Sequence, residues 1–93
     1  MKSDVKEDAK ARLARMGRRV GDIARMIDGD CYCVDILTEV AALRAALEQV
    51  GGIVLKSHIE ECVYGSAVGE ACKELSPNER IEEVRLALGR FLK

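Results

Sequence analysis

His58 and Cys62 stand four residues apart in a stretch of helical periodicity. That spacing puts an imidazole and a thiol on one helix face, about 6 Å apart at Cβ. The pair can ligate a soft or borderline metal ion, although a structural His beside a helical Cys meets the same spacing. A third donor, Cys33, lies 25 residues before His58, in the first turn of the same predicted helix. If that helix is unbroken, the two positions are about 37 Å apart at 1.5 Å per residue. Cys33 then cannot share a metal with His58 and Cys62 of its own chain. An antiparallel helix from a second subunit could bring its Cys33 there, and a two-fold dimer would hold two equivalent sites. A sharp break at Gly51-Gly52 would instead permit a site within one chain. Two thiolates and one imidazole favour Cu(I), because Zn(II) would want a fourth ligand. Cys31-Tyr32-Cys33 is too tight for a zinc-ribbon pair, and Cys31 and Cys72 are read as bystanders.

A second chemistry lies nearer the N-terminus. Lys2 to Arg25 carries eight Lys/Arg against four Asp/Glu, while the remainder carries seven against twelve. Arg12, Arg15, Arg18, Arg19 and Arg25 fall within fourteen residues. A charged helix face is commonly just a solvated one, but this density of arginine exceeds what solubility needs, and arginine favours phosphate. The net charge of −1 excludes a uniformly basic nucleic-acid binder. Oligomerisation would multiply the basic face and strengthen its field. No helix-turn-helix signature is present, so groove readout by a recognition helix is not expected. No catalytic constellation emerges either: there is one His, no Ser/His/Asp pattern and no glycine-rich phosphate loop. The chain is not expected to be an enzyme.

The elements that must position these residues are helices. Leu13, Met16, Val20, Ile23, Ala24 and Ile27 recur at spacings of three and four, which predicts a first helix from about residue 6 to 28. Residues 1–5 read as a flexible arm. Asp28-Gly29-Asp30 ends the helix, with Gly29 suited to a left-handed C-terminal cap and Asp30 to capping the next helix. Ile36, Leu37, Val40, Leu43, Leu47, Val50, Val54 and Ile59 predict a second helix from near Cys31 to about Tyr64. Within it, Gly51-Gly52 costs about 1 kcal/mol per glycine relative to alanine. The favoured use is close approach of another helix; the alternative is a bend. Residues 65–76 form a loop of small and polar residues. Ser76-Pro77-Asn78-Glu79 then reads as a capping box with proline at the first helical position. It opens a third helix with Ile81, Val84, Leu88 and Phe91/Leu92 on one face. The fold class is all-α: two long antiparallel helices and a short C-terminal one.

With 93 residues, one domain over 1–93 is expected. So short a chain buries only about 60–65% of its unfolded surface, and association with a second copy would remedy a marginal core. The charged N-terminus lacks the apolar run of a signal peptide, and no segment approaches a membrane span. A cytoplasmic location is therefore expected, where four cysteines read as ligands or reactive thiols more readily than as disulfides.

Taken together, Tyr32-Cys33-Val34-Asp35-Ile36-Leu37, Val40-Ala41-Ala42-Leu43-Arg44-Ala45-Ala46-Leu47, His58 and Cys62 resemble the CsoR/RcnR-type metal-responsive transcriptional repressors. The resemblance runs over about residues 10–64, with a weaker echo at Ile81-Glu82-Glu83. It implies a three-helix subunit, a dimer in which Cys33 of one chain faces His58 and Cys62 of the other, and a dimer of dimers built on a four-helix core. It implies a repressor that holds operator DNA when metal-free and releases it on binding Cu(I). Tyr32 and Glu83 match positions the family uses around the metal to transmit the signal. Arg12 and Arg15 fall where the family has DNA-contacting residues, with Arg18 and Arg19 on the same basic segment. Nickel and cobalt members carry His in place of Cys62, and persulfide sensors lack the His, so His58 points to copper. A persulfide- or redox-responsive repressor using Cys33 and Cys62 is the alternative within the family. Gly17-Arg18-Arg19 and Gly21-Asp22 depart from the family's first-helix pattern, which bears on the DNA contacts rather than the metal pattern.

Overall fold

The computed structural model describes residues 1–65, 72 and 75–92. Helix α1 spans Ser3–Asp28, α2 spans Cys33–His58, a π-helical turn follows at Ile59–Val63, and α3 spans Pro77–Phe91. No strand occurs among the described residues, as the all-α reading expected. Most of the predicted loop at 65–76 lies outside the described residues.

The α1 helix starts at Ser3, so residues 3–5 are helical rather than a flexible arm. Asp4 in the first turn and Arg25 in the last complement the helix dipole. At the other end the expected roles of Gly29 and Asp30 are exchanged. Gly29 has φ −82°, and it is Asp30 that takes the left-handed conformation, with φ 52°. Aspartate is among the few residues that tolerate this region. The tight turn is closed by the Cys31 N–H donating to the Met26 carbonyl at 3.0 Å. Asp30 therefore does not cap α2. The helix begins at Cys33 rather than Cys31, with Tyr32 as its cap residue and no side-chain cap.

Contacts along the two long helices show an antiparallel hairpin. The N-terminal ammonium of Met1 lies 2.8 Å from the Glu61 carboxylate, and Arg12 donates to the Gln49 side chain at 3.4 Å. Ala9 and Met16 of α1, and Val50 and Ser57 of α2, are the buried residues of this pair. Each set repeats at seven residues, the spacing of an antiparallel helical seam. The predicted apolar stripe of α1 is divided by this packing. Met16 is buried against α2, whereas Leu13, Val20 and Ile27 remain exposed. On α2, Ile36, Leu43 and Val50 run along the less exposed side, while Leu37, Val40, Leu47 and Val54 stay open. A helix apolar on two sides belongs in the middle of an assembly.

The single chain does not provide that middle. It measures 53 × 28 × 14 Å, about one helix thick along its shortest axis. Its radius of gyration is 17.2 Å, against about 12 Å for a compact domain of this length. No side chain among the described residues is fully buried.

The α3 helix returns along the second half of α2. The capping box predicted from sequence is formed: Ser76 Oγ accepts from the Glu79 N–H at 3.3 Å, and the Ser76 N–H donates to Glu79 Oε1 at 3.2 Å. Hydrogen bonds from the Ser76 side chain and then its backbone hold the Glu79 carboxyl below its ordinary value of 4.5. Loss of the cap in Ser76→Ala is expected to cost about 1 kcal/mol in chemical denaturation. The Glu79 contribution has a definite sign with pH. It is present above the ordinary carboxylate value and lost as pH falls through the lower folded one, so the wild-type advantage over Glu79→Gln should shrink on acidification.

The α2 helix runs unbroken through Gly51-Gly52, so a sharp break is excluded, and Gly51 is a point of close approach. A Cβ at position 51 would overlap the Phe91 ring of α3, whereas one at Gly52 would meet open space. Gly51→Ala is therefore expected to destabilise by about 1–3 kcal/mol through overpacking. In a Phe91→Ala background the same change should become neutral or stabilising, because alanine is the better helix former. A double-mutant cycle in denaturant measures the difference.

Candidate metal centre and basic face

His58 closes the α-helical part of α2, and Cys62 sits one turn later inside the π turn. There the Tyr64 N–H donates to the Ile59 carbonyl at 2.9 Å, the wider i to i+5 pattern. Such turns are rare and often mark functional positions. The His58 side chain is partly open, whereas Cys62 is only 5% exposed. Because α3 packs back along α2, the Glu83 carboxylate comes within 3.8 Å of His58 Nε2. His58 and Glu83 share one end of a groove between α2 and α3, lined beyond them by Val54, Leu55, Ala87 and Phe91. A carboxylate beside an imidazole can orient the ring and favour one tautomer, as carboxylates do for metal-bound histidines.

Cys62 is disulfide-bonded to Cys72, with the two Cα atoms 5.5 Å apart. The reading of all four cysteines as ligands or free thiols is thus corrected for this pair, and Cys72 is no bystander. Cys62, the sulfur partner on the π turn, is buried at 5% exposure. Two cysteines ten residues apart across a run of small residues were the only sign of this in the sequence.

Cys33 and Tyr32 are at the far end of the molecule. Both are exposed at the start of α2, and Cys33 is a free thiol. Twenty-five residues of unbroken helix place Cys33 about 37 Å from His58. The alternative of a site folded up within one chain by a break at the glycines is therefore excluded. Among the described residues, no three His, Cys, Asp or Glu side chains of one chain are grouped to hold a metal ion. The structure thus pairs His58 with Glu83 and, separately, Cys62 with Cys72 about one turn on, and leaves Cys33 and Tyr32 where only another molecule could join them to that end.

On α1, Arg12, Arg15 and Arg19 line a groove with Ala46 and Gln49 of α2. Arg12 is also paired with Asp8 at 3.2 Å. Arg18 is exposed outside the groove lining, and Arg25 is ion-paired with Asp22. Three guanidinium groups along one helix edge present a row of donors of the kind that suits the phosphates of a nucleic-acid backbone.

The family model for metal-sensitive transcriptional repressors matches residues 5–90. The chain is 41% identical over 58 residues to the copper-sensing transcriptional repressor RicR of Mycobacterium tuberculosis, a match covering 62% of this chain and 60% of that protein. It is 32% identical over 91 residues to the copper-sensing transcriptional repressor CsoR of Bacillus subtilis, covering 98% of this chain and 85% of the relative. The crystal structure of the copper-sensing repressor CsoR with Cu(I) from Geobacillus thermodenitrificans matches with a TM-score of 0.82 and 30% identity, over 100% of this chain and 92% of that one. No helix of the described residues is long and apolar enough to cross a membrane. With its three helices and its match from residue 5 to residue 90, the chain belongs to the metal-sensitive transcriptional repressors of the CsoR/RcnR type, a family of gene regulators and not of enzymes.

Proposed function

We propose that this protein is a cytoplasmic Cu(I)-responsive repressor that holds operator DNA when metal-free and releases it when Cu(I) binds. The observation that carries the reading is the layout of α2. One continuous helix bears Cys33 at its first residue and His58 at its last, with Cys62 a turn beyond. Two such helices, antiparallel about a two-fold axis, would put Cys33 of the partner subunit beside His58 and Cys62, twice over. The open face of α2, with Leu37 65% exposed and Leu47 56% exposed, supports a second copy as the occupant of that surface. Pairing of dimers into a tetramer would cover the remaining apolar edges of α1.

The donor set fits the ion. Two thiolates and one imidazole are soft and borderline ligands that suit monovalent copper, provided Cys62 is reduced. When bound, Cu(I) supplies a covalent tie between the helices of two subunits. The chain's own residues do the rest. Glu83 orients His58 and couples the site to α3, Tyr32 borders Cys33 at the start of α2, and α1 carries Arg12, Arg15, Arg18 and Arg19 toward phosphate. Switching requires coupling of several kcal/mol between metal and DNA.

The likeness to copper-sensing repressors that span most of this chain supports the same reading. The test is operator binding by fluorescence anisotropy during an anaerobic Cu(I) titration of the reduced protein. DNA affinity should fall roughly 10²-fold or more as the sites fill, matching a coupling of about 3 kcal/mol. Unchanged affinity at full occupancy would overturn the proposal.

A further inference from the structure

The bond between Cys62 and Cys72 sets one of the proposed copper ligands against the other use of the same sulfur. A metal-binding cysteine acts as a thiolate, and a disulfide sulfur carries no such charge. With the bond in place, the proposed site keeps only His58 and the partner subunit's Cys33, two donors instead of three. We infer that Cys62 and Cys72 form a redox gate on the metal site: the disulfide withholds the Cys62 ligand, and its reduction arms the sensor. The inference rests on the reading of Cys62 as a copper ligand.

Four observations carry it. Cys62 is bonded to Cys72 while Cys31 and Cys33 are free. Cys33 lies about 37 Å from His58 at the opposite end of α2, with Cys31 just before it and Cys62 a turn beyond His58, so neither free thiol can reach Cys62 within one chain. Cys62 is buried at 5% exposure whereas Cys72 is only partly covered, which makes Cys72 the more accessible residue of the pair. Finally, a DNA-binding repressor works in a thiol-reducing compartment, where a disulfide is more often transient and redox-sensing than a structural staple.

The exchange balances with a monothiol reductant. Its thiolate attacks the Cys72 sulfur, the bond between Cys72 and Cys62 breaks, and Cys62 leaves as a thiolate beside His58. A second reductant thiolate then attacks the mixed disulfide, freeing Cys72 as a thiolate, and the reductant departs as its own disulfide. Two electrons pass to the protein, and the two thiolates take up protons from solvent or hold a metal. Under oxidising conditions the reverse exchange with a small-molecule disulfide closes the gate. A closed repressor would stay on its operator in the presence of copper.

The experiment equilibrates the full-length protein anaerobically with glutathione and its disulfide over a range of ratios. The protein is then acid-quenched, desalted and divided. One portion is digested unreduced and mapped by mass spectrometry; the other is titrated with Cu(I) against a strong chelator. The wild type should lose roughly 10³-fold or more in Cu(I) affinity, beyond the 10–100-fold of a merely orienting residue, in step with formation of the Cys62–Cys72 bond, and recover it on treatment with a dithiol. Cys72→Ser should bind Cu(I) like the reduced wild type and stay competent over the same range. A mapped Cys62–Cys72 disulfide that leaves Cu(I) affinity unchanged would overturn the gate, as would a Cys62 joined to Cys33 instead, or no Cys62–Cys72 bond at any ratio. The fully reduced wild type is the separate arm: weak Cu(I) binding there overturns the copper reading itself, whatever the disulfide map shows.

Discussion

Cys33→Ala should abolish copper-dependent release while leaving the metal-free protein bound to DNA with unchanged affinity. Cys33 is exposed at the start of α2, about 37 Å from the only histidine, so its removal takes away no packing near His58, Cys62 or the arginines of α1. What it removes is one of the three proposed ligands. Loss of a residue that merely orients a metal ligand costs 10–100-fold in affinity, so loss of the ligand itself should cost roughly 10³-fold or more. Competition with a Cu(I) chelator measures the loss, and anisotropy on operator DNA shows whether release goes with it. A stronger form of the test mixes Cys33→Ala subunits with His58→Ala subunits. In a mixed dimer one site loses both ligands and the other keeps all three, so one tight site per dimer should return. Tight copper binding by Cys33→Ala alone would place the third ligand elsewhere and refute the cross-subunit geometry.

The second large effect concerns the apolar face of α2. Leu47 is 56% exposed in the single chain, where a polar replacement would change stability by no more than about 0.5 kcal/mol. If a second copy covers that face, Leu47→Glu loses about 1.5–3 kcal/mol of apolar burial per side chain, with two such side chains in each dimer. The dimer should then weaken by roughly 10²–10⁴-fold, at 1.4 kcal/mol for each factor of ten. Sedimentation equilibrium of wild type and variant at micromolar concentration reads this directly. Copper binding should weaken with it, because a separated subunit has no Cys33 beside its His58. A variant that still associates like the wild type would move the interface to another face, the first candidate being the Leu13, Val20 and Ile27 edge of α1.

Both expectations depend on features of unequal visibility. Whatever rests on bonding and side-chain spacing within a turn or two could be read from the chain alone. Ser76-Pro77-Asn78-Glu79 predicts the start of α3 because a capping box is closed by residues three apart, and the structure forms both of its hydrogen bonds. The three helices follow from apolar residues at spacings of three and four, and His58 and Cys62 fall one turn apart for the same reason. The family likeness lies in such local runs, above all Tyr32 to Leu47. Local signals were weaker where two residue types compete for one role. Gly29 and Asp30 both suit a left-handed turn, and the hydrogen-bonding of the turn gave it to Asp30.

Only the tertiary structure decided which apolar side of each helix meets which neighbour. The α1 stripe is wide enough to face either α2 or another molecule, and its division between Met16 and the Leu13, Val20, Ile27 edge comes from the crossing of two helices. Gly51 could have broken α2; the structure instead sets the Phe91 ring, from forty residues away, against it. Glu83 stands beside His58 because α3 folds back, and Cys62 is bonded to Cys72 ten residues on. Periodicity reports what a residue shares with its own turn of helix, whereas these contacts join turns far apart in sequence. By itself, then, the sequence determined three helices and a set of candidate soft ligands. The fold determined that one chain's set is split between the two ends of α2, with one thiol already bonded to its neighbour, because a continuous helix is too stiff to bring its own ends together.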